Sequence, residues 1–163
     1  MNRRKKDAVA LEHKPVVVVK HYEKVDGRLA SNMGAKALSL GLAQWDDRGK
    51  VNISAKVWEN TGEKCSVQSE ELPLHRVLDL SILICRSLDH FQEAYRHEHQ
   101  YDPQEPVIDR IALQGNAMTL GISIDDESMN ENIQLFSQAL QDDDEMNSER
   151  LRTLAKILKD MGY

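Results

Sequence analysis

Apolar and polar positions along this chain fall into short segments with two different periods. Val16 to Val19, followed by Lys20, His21 and Tyr22, is a continuous β-branched run, the pattern of a strand covered on both faces. Asp26-Gly27 marks a turn. Ser31 or Asn32 then offers a cap for a helix over Met33 to Trp45, with Met33, Ala37 and Leu40 on one face and Leu38, Leu42 and Trp45 displaced by one place. Gly34 and Gly41 weaken that helix by up to about 1 kcal/mol each, so packing has to hold it.

Strict alternation of Val51, Ile53, Ala55 and Val57 predicts a half-buried strand. A hairpin loop at Asn60-Thr61-Gly62 would set Val57 opposite Cys65 and Ala55 opposite Val67, keeping apolar side chains on one face. A second hairpin turns at Gly115-Asn116, pairing Leu113 with Met118 and Ile111 with Leu120. Between the hairpins the longest helix runs from about Pro73 to His97, entered through the acidic Ser69-Glu70-Glu71. Met129, Ile133, Phe136 and Leu140, then Leu151, Leu154, Ala155 and Leu158, lie at helical spacing on either side of Asp142-Asp143-Asp144-Glu145, which reads as a helical hairpin. Those acids lack the alternating oxygens, sixth-position Gly and twelfth-position Glu of a calcium loop, so they are expected to be solvated.

The predicted order is β-α-β-β-α-β-β-α-α. It implies an α+β fold: an antiparallel or mixed five-stranded sheet with a long central helix, a ferredoxin-like split βαβ core plus a C-terminal helical hairpin. Residues 1–13 are expected to be a disordered basic tail and residues 14–163 a single α+β domain. Composition agrees, since 163 residues with 40% hydrophobic and 29% charged suit one globular core. The net charge of −6 excludes a cationic footprint for nucleic acid outside the first six residues. No apolar run approaches the roughly 20 residues of a membrane span, and no apolar segment follows the basic start as a secretory signal requires, so a cytoplasmic protein is expected. Cys65 and Cys85 are too few and too far apart for a zinc knuckle or redox pair and are expected to be free thiols in apolar settings.

On a wheel, Leu74, Val77, Leu78, Leu80, Ile84, Cys85, Leu88, Phe91 and Tyr95 share an arc of roughly 160°, which is expected to face the sheet. His75, Asp79, Arg86, His90, Glu93 and His97 fall opposite it. His90, Glu93 and His97 span i, i+3 and i+7 and could converge on an ion, but the stripe lacks the His-Glu-x-x-His or Glu-x-x-His pairing of known metal helices, and no metal or cofactor is assigned. Ile82 and Leu83 flank the stripe on its own side and need cover, either from the C-terminal helices or from a second protomer. They are the candidate interface of a homodimer or other protein contact. A second concentration, His21, Tyr22, Arg28 and Lys36, leaves a strand, passes Gly27 and enters the expected helix, a setting for an anion. The glycine spacing departs from a phosphate loop, and Ala37 stands where such a loop places the hydroxyl for magnesium. No serine has a Gly-x-Ser-x-Gly elbow, so no catalytic residue is assigned.

The stretches Lys14-Pro15-Val16 through Val25-Asp26-Gly27, Ala35-Lys36-Ala37-Leu38-Ser39 to Gln44-Trp45-Asp46, Ile53-Ser54-Ala55-Lys56-Val57-Trp58, and Gln68-Ser69-Glu70-Glu71-Leu72-Pro73-Leu74-His75-Arg76 resemble a family of small uncharacterised bacterial proteins, a domain of unknown function. The resemblance covers about residues 14 to 90 and implies a bacterial cytosolic protein, with no activity and no catalytic residue attached. The residues themselves favour a non-enzymatic interaction or regulatory module. The alternative is a small anionic-ligand-binding protein or enzyme with a pocket between the first strand and first helix.

Overall fold

Strand β1 (Lys14–Lys20) leads through a 3-10 turn at Tyr22–Lys24 to β2 (Ala35–Gln44), which pairs antiparallel with β1 on one side and with β3 (Val51–Asn60) on the other. β4 (Val67–Pro73) completes a four-stranded antiparallel sheet in the order β1-β2-β3-β4. The computed structural model describes residues 13–25, 35–44, 51–60, 67–94, 102, 104–123 and 127–163. Helix α1 (Leu74–Ala94) follows, then the two-stranded hairpin of β5 (Val107–Ala112) and β6 (Ala117–Gly121), and then α2 (Met129–Asp142) and α3 (Asp144–Asp160). The chain divides into two units, residues 1–81 and 82–163. Among the described residues no helix is long and apolar enough to cross a membrane.

The helix expected over Met33 to Trp45 is a strand instead. Ala37, Ser39, Gly41 and Ala43 occupy every second position, so an extended backbone puts four small residues on one face and Leu38, Leu40 and Leu42 on the other. Small side chains with a glycine give a helix little to hold it, whereas a strand between two neighbours gains hydrogen bonds along both edges. The first helix of a split βαβ core is thereby lost, and the expected single five-stranded sheet is a four-stranded meander plus a separate hairpin. The α+β class, the long helix and the C-terminal helix pair stand.

Both predicted hairpin registers move. β3 and β4 pair Val57 with Glu70 and Ala55 with Leu72, five places beyond the expected pairing. The connection, residues 61–66, is longer than a three-residue loop and lies outside the described residues together with Cys65. Ser69-Glu70-Glu71, expected to lead into the helix, belongs to β4, and α1 starts at Leu74. In the second hairpin Ile111 pairs with Met118 and Ala112 with Ala117, a slip of two from the expected register. Side chains repeat every two residues in a strand, so a slip of two leaves the same residues on the same face and the apolar pattern cannot tell the registers apart. The turn decides: the Leu113 amide donates to the Asn116 carbonyl at 3.4 Å, and the Ala117 amide donates to Asn116 Oδ1 at 2.8 Å, closing a four-residue loop.

The buried apolar residues among those described are Ala43 in the first unit and Leu120 and Ile133 in the second. On α1 the expected core arc is largely uncovered, with Leu78, Leu80, Ile84 and Cys85 all exposed. Cys85 is therefore not the core thiol its position on that arc predicts. α2 and α3 are separated by Asp143 alone. Asp144 and Glu145 sit in the first turn of α3, where the helix dipole favours them.

Candidate functional site

The densest polar cluster in the first unit gathers round His13, whose side chain is fully shielded from solvent. Its imidazole spans two serines of neighbouring strands, with Ser54 Oγ at 2.6 Å from Nδ1 and Ser39 Oγ at 2.8 Å from Nε2. The Trp58 indole N–H donates to the same Ser39 oxygen at 2.8 Å, and Lys56 Nζ lies 4.0 Å from the centre of the Trp58 ring. Glu71 Oε1 stands 3.7 Å from Nδ1. A carboxylate on that side favours the tautomer with its proton on Nδ1, so Nδ1–H donates to Ser54 and the Ser39 hydroxyl donates to Nε2.

Strand geometry assembles this cluster. Gly41 pairs with Ser54, and Ser39 pairs with Lys56, which in turn pairs with Glu71, so alternate residues of β2, β3 and β4 bring these side chains to one face of the sheet. Gly41 leaves the space. A Cβ built there would meet the Lys14 carbonyl oxygen at 2.2 Å and His13 Cε1 at 2.9 Å. Serine, histidine and carboxylate are also the parts of a hydrolase relay, which works only if the hydroxyl can reach a substrate carbonyl. Here Ser39 is 6% exposed and Ser54 is 0% exposed, so the arrangement clamps the start of β1 to the sheet and offers no nucleophile. The sequence reading missed it, leaving His13 at the end of a basic tail. The available signal was the alternation of small and polar residues at 39, 41 and 54, which marks an inward face too small and polar to be an apolar core.

The sequence-predicted residues divide. His21 is exposed at the end of β1 in a left-handed conformation (φ 57°), Tyr22 opens the 3-10 turn half-buried, and Lys36 is exposed near the start of β2. That turn packs against β2, so these three share one end of the sheet. Arg28 lies outside the described residues. From Ala35 on the chain is extended, so among the described residues the helix expected there is not formed, while the Gly27 loop and Gly34 lie outside the described residues. On α1, Asp79 pairs with Arg76 at 3.6 Å, and Arg86 pairs with Asp89 at 3.8 Å and, through Nε, with Asp109 at 3.2 Å. His75 is exposed; His97 and the Glu93 side chain lie outside the described residues. Among the described residues no group of three or more metal-ligating side chains converges.

The second unit holds an open groove, unlike the sealed His13 cluster. Leu83, Ile84 and Leu88 of α1, Phe136 and Leu140 of α2 and Leu151 of α3 line an almost wholly apolar groove of about 530 Å³. The pairs 84/88 and 136/140 are four apart, the spacing that puts neighbours on one helix face. Phe136 is held against Phe91 with ring centroids 5.0 Å apart. Leu83 remains 43% exposed and Ile84 52%, while Ile82 is half-buried. Leu83, of the predicted interface pair, borders the groove together with residues of the C-terminal helices. An adjoining cavity of about 540 Å³ shares Leu88, Leu140, Asn147 and Leu151 with the groove.

A family model described as a family of unknown function (DUF6530) matches residues 5–163. No curated protein and no solved structure matches the chain.

Proposed function

We propose, for a chain that belongs to the DUF6530 family of unknown function, a non-enzymatic role as a protein-interaction or regulatory module of the bacterial cytosol. Its contact surface is the groove bordered by Leu83 and Ile84, with Ile82 beside it. The observation that carries this reading is the groove itself: six apolar side chains from three helices, open to solvent. Leaving such side chains wet forgoes about 1.5–3 kcal/mol for each one that a partner would fully bury. The His13 cluster supports it from the other side, because the best-assembled chemistry in the first unit is sealed.

The partner tested first is a second copy of the chain, since closed homodimers are the commonest assemblies. Leu83→Asp combined with Ile84→Asp places two carboxylates in the groove and is expected to weaken association at least about tenfold in sedimentation equilibrium, with an unchanged far-UV circular dichroism spectrum. Wild-type protein that stays monomeric and captures no partner, or association that survives the double substitution, removes the reading.

A further inference from the structure

We propose that the cavity between α1, α2 and the first turns of α3 is a binding site for an uncharged planar heterocycle with a hydrogen-bond donor and acceptor side by side, of the nucleobase or unphosphorylated nucleoside type. This goes beyond the interaction reading and does not depend on it. At about 540 Å³ the cavity has the size of a small-molecule site. Its apolar part is Leu88, Phe91, Leu140 and Leu151, and the Phe91 ring, held by Phe136, gives a flat ligand a fixed surface to stack on.

The polar part distinguishes this cavity from the apolar groove beside it, with Asn147 alone of its carboxamides lining both. Gln92, Gln141 and Asn147, one from each helix, bring three carboxamides to the lining. Each carries an acceptor and two donors in one plane, the geometry that pairs with the edge of a base. Ser137 also lines the cavity, and its hydroxyl is shielded from solvent without a hydrogen-bond partner. Charge sets the remaining limit. Asp144 is the only charged side chain in the lining among the described residues, it accepts from Ser148 Oγ at 3.1 Å, and Asp142, Asp143 and Glu145 adjoin it in sequence. Among the described residues no lysine or arginine lines the cavity, the nearest being Arg150 in the lining of the adjoining groove, so a phosphate or carboxylate inside the cavity meets Asp144 and no cation of its own wall.

Isothermal titration of the full chain with adenosine, cytidine, adenosine monophosphate and toluene tests the assignment. The expected result is saturable binding of at least one nucleoside, at least tenfold weaker binding of the monophosphate, and a loss of at least tenfold in the Gln141→Leu, Asn147→Leu double variant. Absence of nucleoside binding, equal affinity for nucleoside and monophosphate, or binding of toluene alone overturns it. The comparison of nucleoside with monophosphate uses wild-type protein, so it decides the matter even if the double variant misfolds.

Discussion

Gly41 and His13 show how much of the first unit turns on single atoms. A methyl group at position 41 would sit 2.2 Å from the Lys14 carbonyl oxygen, which belongs to backbone and cannot swing away. Gly41→Ala is therefore expected to destabilise the protein by about 1–3 kcal/mol, the usual cost of forcing extra volume into a closed contact. The measurement is the urea midpoint at unchanged slope, and an unshifted midpoint would show that β1 can move aside. None of this is visible in the sequence. A histidine after a basic, unpatterned start reads as tail, because what buries it are two serines 26 and 41 positions away. Long-range polar pairing leaves no periodic trace, whereas Val16 to Val19 announce a strand by β-branching alone.

Among the elements, those with one dominant period were legible. β3 follows from Val51, Ile53, Ala55 and Val57, and α2 and α3 follow from their three- and four-residue spacing. β2 was not legible, because a run of alanine, leucine, serine and glycine satisfies both templates until neighbouring strands arbitrate. Substitution can expose the period directly. Ala43 is 2% exposed and Leu42 is 41% exposed on the opposite face, so Ala43→Lys should cost more than about 3 kcal/mol by burying an unpaired charge, and Leu42→Lys less than about 1 kcal/mol. Thermal unfolding of the two variants checks this, and equal losses would contradict the strand. The candidate site was legible to the same partial degree. Ile82 and Leu83 stood out as apolar residues on a polar flank, but Ile84, Phe136 and Leu151 were assigned to a buried arc or a helix pair. Only the path of three helices reveals them as one groove.

At the scale of the whole molecule the excess of acid, 27 carboxylate side chains against 21 lysines and arginines, acts as a uniform constraint on partners. A polyanion has to find a cationic surface, and each phosphate neutralised makes binding more sensitive to salt. Fluorescence anisotropy of a labelled DNA duplex is therefore expected to stay flat on addition of the protein, even at low salt. A rise that salt abolishes would reveal a basic face that the overall charge conceals. Division into units at residue 81 belongs to this scale too, and no local pattern marks it, since α1 runs unbroken across the boundary.

The closeness of Gly41 to the imidazole also bears on how such a chain can drift. Any lineage that gains a side chain at 41 must shift the β1 backbone at Lys14 as well as the ring at 13, and one that loses the ring first leaves the Ser54 hydroxyl without its imidazole and the Ser39 hydroxyl with the indole alone. Position 41 therefore answers to the β1 backbone first and to the ring second. Replacing both together should cost no less than Gly41→Ala alone, because the Lys14 carbonyl stays in the way.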